Sequence, residues 1–281
     1  MPQNLSTSEQ LAFTTVRIQC QAQSGSISTG TGWFFSFKFD DGKQVPIIIT
    51  NHHVIEGSSK GSFQLTRANA DGTPQIGKFD NIVIDNFEKN WFHHPKPEID
   101  LCFMPIAPLL HEANKQRISF FHINIDENLL PSENLLSDLT ALEEILMIGY
   151  PVGLWDSVNN MPIFRKGITA THPNLNYEGR DEFLIDAACF PGSSGSPVFL
   201  YNMGNYASRD GRTVIGTRIA LLGILYAGPQ FTVEGEIVVS PIPTQMKPVP
   251  ISRIPINLGI VIKAKQILEF KPIIEKMLKG G

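Results

Sequence analysis

The chain has 281 residues, 42% of them hydrophobic and 18% charged, and a net charge of -4. That is a globular composition, long enough for one large or two small cores, and it argues against a disordered chain, a nucleic-acid partner or an anionic-membrane partner. No apolar run has the length of a membrane span, and three cysteines (Cys20, Cys102, Cys189) are too few and too odd for a disulfide framework. The opening MPQNLSTSEQLAFTTVRIQC lacks a basic segment followed by an apolar run, so a cytoplasmic chain without a secretory signal is expected.

Short strand-like runs dominate, and 23 glycines and 20 prolines supply turns between them. FTTVRIQCQA (13–22) and TGWFFSFKF (31–39) are β-prone, DDG at 40–42 signals a hairpin, and QVPIIIT (44–50), DNIVIDNF and DLCFMPI follow as strands. Residues 10–106 are therefore expected to form a first β-barrel. A more polar connector, 107–143, carries a helical spacing in SENLLSDLTALEEI. ILMIGYP, GITAT, EFLIDAA, SPVFLY, RIALLGILYAG and INLGIVI then predict a second barrel over 144–262. Residues 202–217 read as an extended hairpin, and the proline-punctuated 229–255 as a flap or a surface for a regulatory protein partner. The tail, 263–281, predicts a helix with Ile267, Phe270, Ile274 and Met277 on about one face, broken or kinked at Pro272.

CFPGSSGSPVF, Cys189 to Phe199, raises a chemical question. Glycine and serine are ordinary turn residues, so the stretch alone is read equally as a tight turn or as a nucleophile loop. A serine hydroxyl becomes a useful nucleophile only with a base, a group that orients the base, and donors for the oxyanion. A base candidate stands in IIITNHHVIEG, where an apolar strand ends at Asn51 and His52-His53 follow. A carboxylate candidate, Asp100, opens the apolar strand of HPKPEIDLCFMPI. Taken singly, each is more simply a surface histidine or a strand cap. The pairs His52-His53 and His93-His94 lack the spacing and number of ligands that a zinc site needs, so no metal is expected.

Taken together, STGTGWFF, ITNHHV, EIDLCFM, LMIGYPVG, IDAACFPGSSGSPVF and LLGILYAG resemble the successive motifs of trypsin-like serine peptidases, most closely the bacterial HtrA-like peptidase domain, over about residues 13–270. The resemblance implies an all-β fold of two packed six-stranded antiparallel β-barrels, chymotrypsin-like, with a C-terminal helix and the site in the cleft between barrels. It assigns His53 as general base, Asp100 as its orienting partner and Ser194 as nucleophile, with the backbone N–H groups of Gly192 and Ser194 as oxyanion hole. It implies a specificity pocket with Ala188 at its base, Cys189 and Phe190 beside it, and Tyr226, Ala227 and Gly228 as wall. Phe190 and Tyr226 are expected to make that pocket shallow, and Lys263 to intrude into it. Ser193 replaces the family's usual Asp or Asn, so activation by a newly cut N-terminus is not expected.

The reading is a serine endopeptidase acting through an acyl-enzyme on a protein or peptide substrate, without a cofactor. With no carboxylate at Ala188, an apolar or small residue before the cut is expected. The rate should rise with pH through about 6 to 7.5 as the base becomes neutral. The alternative is a catalytically silent module of the same fold that binds peptides or a regulatory partner.

Overall fold

The computed structural model describes residues 5–228, 230–233, 252–255 and 257–280. Its first sheet is built from β1 (Thr15–Ala22), β2 (Ile27–Lys38), β3 (Gln44–Thr50), β4 (Ser58–Ala68), β5 (Pro74–Asp85), β6 (Phe92–His93), β7 (Cys102–Pro105) and β8 (Ile125–Asp126). The hydrogen-bonded order is β5-β4-β1-β2-β3-β7-β6, with β8 lying parallel to β2. The second unit contains β9 (Glu144–Gly149), β10 (Ile163–Thr169), β11 (Glu182–Asp186), β12 (Pro197–Asn202), the hairpin β13 (Asn205–Ala207) and β14 (Thr213–Ile215), β15 (Arg218–Ala227), the pair β16 (Gln230–Val233) and β17 (Ser252–Pro255), and β18 (Leu258–Lys263). Six of these close into a barrel in the order β10-β11-β18-β15-β12-β9.

The long apolar runs are explained by which core each strand face meets. Side chains alternate across a strand. In β2, Trp33, Phe35 and Phe37 point into one core while Phe34 points into another; in β3, Ile47 and Ile49 join the first and Ile48 the second. β7 divides in the same way, Phe103 from Cys102 and Met104. In the second unit, Leu146, Ile148, Phe199, Leu221 and Ile224 face the core shared with the first sheet, and Met147, Val198, Leu200 and Leu222 face the barrel's own. Strands buried on both faces read as unbroken hydrophobic runs.

Among the described residues, five α-helices accompany the strands: α1 (Thr7–Ala12), α2 (His52–Ile55), α3 (Ala107–Lys115), α4 (Glu133–Asp138) and α5 (Lys271–Gly280). α1 begins with a capping box in which Ser6 and Glu9 each satisfy the other's backbone N–H. Ser132 caps α4 by accepting from the Leu135 N–H at 3.2 Å. The chain between the units also contributes α3 and β8, more structure than the single short helix expected of a connector. The C-terminal segment is a 3-10 helix, Ala264–Phe270, followed by α5, and Pro272 stands in the first turn of α5, where its missing N–H costs no helical bond. Ile267, Phe270 and Ile274 of this segment are buried in the shared core. Phe270 lies 4.9 Å from the Phe103 ring and 5.3 Å from His94.

The expectation of two six-stranded barrels needs amendment. The second unit is a closed six-stranded barrel, but the first is an eight-stranded sheet whose pairing order runs from β5 to β6 without closing. The long β4-β5 arm and the short strands β6 and β8 change its strand count. The hairpin expected over 202–217 is β13-β14. Of the segment 229–255, the β16-β17 pair is described; the remainder, and with it the proposed partner surface, lies outside the described residues. Among the described residues no helix is long and apolar enough to cross a membrane.

Candidate active site

β3 and β7 are antiparallel neighbours with Thr50 opposite Cys102. The residues just past the end of β3 therefore meet those just before β7. There the chain turns into α2, whose Val54 and Ile55 are buried in the first sheet's own core, leaving His53 on the outer side at the site. Asp100 comes up against it with both carboxylate oxygens occupied: Oδ1 accepts the His53 backbone N–H at 3.0 Å, and Oδ2 faces His53 Nδ1 at hydrogen-bond distance. With Nδ1–H donating to Asp100, Nε2 is left with its lone pair. Buried Asn51 anchors the Asp100 main chain, its side-chain amide donating to the Asp100 backbone carbonyl at 2.8 Å.

Ser194 stands in the loop that enters β12. Gly192 and Gly195 both have φ of +86°, the left-handed region that disfavours a side chain. Space forbids one as well. A Cβ on Gly192 would lie 2.7 Å from the Tyr150 carbonyl oxygen, and one on Gly195 would collide with the Thr31 carbonyl. Among the described residues, the N–H groups of Gly192 and Ser194 carry no backbone hydrogen bond, so both are open to an acceptor. Ser194 Oγ donates to the Tyr226 carbonyl at 3.5 Å and makes no hydrogen bond to His53.

Thr31, on β2, ties this loop to the first sheet, and sequence reading missed it. Its N–H donates to the Ser194 carbonyl at 2.9 Å, and its carbonyl accepts from Thr50 Oγ1 at 2.7 Å. Its hydroxyl donates to the Gly192 carbonyl at 3.1 Å while accepting the Tyr150 N–H at 3.1 Å and Ser196 Oγ at 3.3 Å. One threonine thus touches both ends of the Ser194 loop and, through Thr50, the strand that leads to His53.

The expected pocket residues are brought together in part. Cys189 meets the β15 end at Gly228, while the Ala188 carbonyl and the Phe190 ring both contact Arg165 of β10. A Cβ on Gly228 would lie 3.8 Å from Cys189 Cβ. Cys189 Sγ is turned toward Gly259, and burial pushes its thiol up to about 11. Two expectations are corrected. The Tyr226 ring does not shape the pocket: its hydroxyl donates to Glu182 at 2.9 Å, the ring packs on the shared core, and burial beside Glu182 pushes its pKa up to about 12. Only its carbonyl addresses the site. Lys263 does not intrude, because Leu258, not Lys263, pairs with Asp186 next to Ala187-Ala188. At the far end of β18, the Lys263 ammonium donates to the Asn174 carbonyl at 3.0 Å and Asn176 Oδ1 at 2.8 Å; burial lowers its pKa to about 8. His52 sits edge-on to His93 at 4.4 Å, and among the described residues no three His, Cys, Asp or Glu side chains gather as a metal site.

Comparison with known proteins places these residues in context. Residues 30–206 match the model of the trypsin-like peptidase domain. No curated protein sequence matches the chain. Among solved structures, the chain is similar to the Rv3671c protease from M. tuberculosis in its active form, with 15% identity and a TM-score of 0.42 over 92% of this chain and 78% of that one. It is similar to catalytically active tobacco etch virus protease complexed with product, with 14% identity and a TM-score of 0.44 over 82% and 73%. It is similar also to Deg5, with 15% identity and a TM-score of 0.43 over 80% and 88%.

Proposed function

The chain belongs to the trypsin-like peptidase domain family, and from that premise we propose that it is a serine endopeptidase in which Ser194, His53 and Asp100 act as a triad. The observation that carries the proposal is the two-point grip of Asp100 on His53. It holds the imidazole in the tautomer whose Nε2 accepts a proton, and it stabilises the imidazolium once formed. Ser194 Oγ attacks the scissile carbonyl as its proton passes to His53 Nε2. The oxyanion forms against the N–H groups of Gly192 and Ser194. The amine leaves with the proton from His53, and water, deprotonated by the same ring, hydrolyses the acyl-enzyme. A cysteine mechanism is disfavoured, because Cys189 is turned toward Gly259 with its thiol pKa raised by burial.

Ser194 Oγ donates to the Tyr226 carbonyl, so the attack requires it to rotate toward His53. Catalytic hydrogen bonds commonly tighten only when substrate binds. The same observation is what a silent, peptide-binding module would present. A fluorophosphonate probe, which reacts with an activated serine beside an oxyanion site, separates the two. Labelling of the wild type and none of Ser194→Ala is the expected result; a folded wild type that stays unlabelled would leave the binding module as the better reading.

A further inference from the structure

Arg165 is a cation at the mouth of the second barrel that sequence reading did not consider. It sits on β10 opposite Met147, and paired residues of an antiparallel ladder share a face. Met147 lies in the barrel's own core, so Arg165 belongs to the inward face of the barrel, while its neighbour Lys166 turns outward to Glu144 at 3.0 Å. β10 pairs with β11 through Ile168 opposite Asp186, and that register, carried three residues further, brings Arg165 level with Cys189. There one guanidinium nitrogen donates to the Ala188 carbonyl, and the group lies 4.9 Å over the Phe190 ring. Among the described residues Arg165 forms no ion pair with a carboxylate.

An inward-facing guanidinium held by one carbonyl and one ring, with no counter-ion among the described residues, is electrostatically incomplete. Burial already lowers its pKa, and a desolvated cation is stabilised most by an opposite charge that arrives with its own hydrogen-bond acceptors. Resting on the peptidase reading above, we propose that Arg165 makes this pocket one for an acidic side chain, so that the enzyme cuts after Glu or Asp. This replaces the apolar or small preference read from Ala188. Ala188 brings no charge of its own, and the charge comes from β10, whose Arg165 reaches the Ala188 carbonyl. The planar fork of Arg165 has donors to spare for a carboxylate after serving the Ala188 carbonyl. Phe190 covers its face and Cys189 contributes no anion, its thiol being protonated at neutral pH.

The test is a matched set of peptides differing only at the residue before the cut: Glu, Asp, Gln, Leu and Lys. The expected result is a kcat/KM for Glu or Asp on the order of 100-fold above Leu, with Gln between, because a site built for a polar partner strongly rejects an analogue that leaves it unpaired. In Arg165→Leu, cleavage after Glu should fall to the level of Leu while the Leu peptide changes less than about threefold; Arg165→Lys should keep part of the preference. A wild type that prefers Leu overturns the proposal, as does an Arg165→Leu variant, folded by its thermal melt, that slows all five peptides equally, since Arg165 would then only brace the Ala188 carbonyl. Fluorophosphonate labelling keeps the two failures apart: a labelled enzyme without acidic preference defeats this inference alone. If nothing is labelled or cut, the peptidase reading fails, and titration of peptides ending in Glu against peptides ending in Gln decides the pocket by itself. Tighter binding of the Glu peptide that disappears in Arg165→Leu supports it, and equal binding overturns it.

Discussion

The two units solve the problem of placing a reactive side chain in different ways. In the first, His53 and Asp100, the proposed base and its carboxylate, flank the ends of neighbouring strands of one sheet. The β3-β7 ladder sets their register, and two hydrogen bonds to a single carboxylate finish the work. In the second, Ser194 rides on a loop with two left-handed glycines, and what fixes that loop is Thr31 of the other unit. The histidine and aspartate are thus positioned by their own sheet, whereas the serine is positioned by an interface. Damage to the first arrangement should cost chemistry and little stability, and damage to the second should cost both.

The sharpest way to break that distinction is Asp100→Asn. Asparagine keeps the Oδ1 that accepts the His53 N–H, so the turn around α2 is preserved, but its amide now points an N–H at His53 Nδ1 and demands the wrong tautomer. A loss of kcat by about 10⁴ is expected, the size of effect that a wrong tautomer produces when the carboxylate of a serine-protease triad becomes an amide. The urea midpoint should stay close to wild type. A large loss of stability with a small loss of kcat would mean that Asp100 is a strand cap and His53 a surface residue.

Thr31→Val probes the other side. Valine keeps the shape and the backbone N–H to Ser194 while removing the hydroxyl. The buried Tyr150 N–H and the Gly192 carbonyl then lose their partner, a cost of about 1–3 kcal/mol in unfolding free energy. Loosening of the nucleophile loop should lower kcat by about 10- to 100-fold with little change in KM. Unchanged kcat with lowered stability would make Thr31 a structural clamp with no share in placing Ser194.

The same contrast explains what could be read in the sequence. His53, Asp100 and Ser194 stand at the ends of apolar strands within motifs whose order and spacing are visible, and the alternating cores made those strands conspicuous. Thr31 was invisible because a threonine in a β-strand is ordinary, and its partner Gly192 is 161 residues away. Arg165 was missed for a similar reason: in IFRKGIT it stands beside Lys166, so the charged pair reads as solvent-facing, and the pairing with Met147 in the closed barrel is what turns it inward. The tail was half legible. Of the four residues on its apolar face, Ile267, Phe270 and Ile274 are core but Met277 is exposed, and the 3-10 geometry before Lys271 is set by docking on both units, which periodicity does not report.

The smallest expected effect lies outside the site and tests whether the first unit's stability is independent of the shared interface. His122 packs at 4.8 Å against Phe34, a residue of the first sheet's own core, and its Nδ1 is buried without a hydrogen-bond partner among the described residues. Burial lowers its pKa to about 4. As pH falls through the ordinary histidine value of about 6.5, the unfolded chain takes up a proton that the folded chain refuses, so the unfolded state binds more protons and stability declines with falling pH until about pH 4. At pH 5 that linkage amounts to roughly 2 kcal/mol relative to pH 8. His122→Phe keeps an aromatic ring beside Phe34 and deletes the titration. Urea unfolding at pH 8 and pH 5 should therefore show a smaller acid loss in the variant by about that amount, with labelling of Ser194 at pH 8 unaltered. Equal acid losses in the two proteins would move the sensitivity to other groups. Reduced labelling would show that the first unit's own core is mechanically coupled to the nucleophile loop, contrary to the division drawn above.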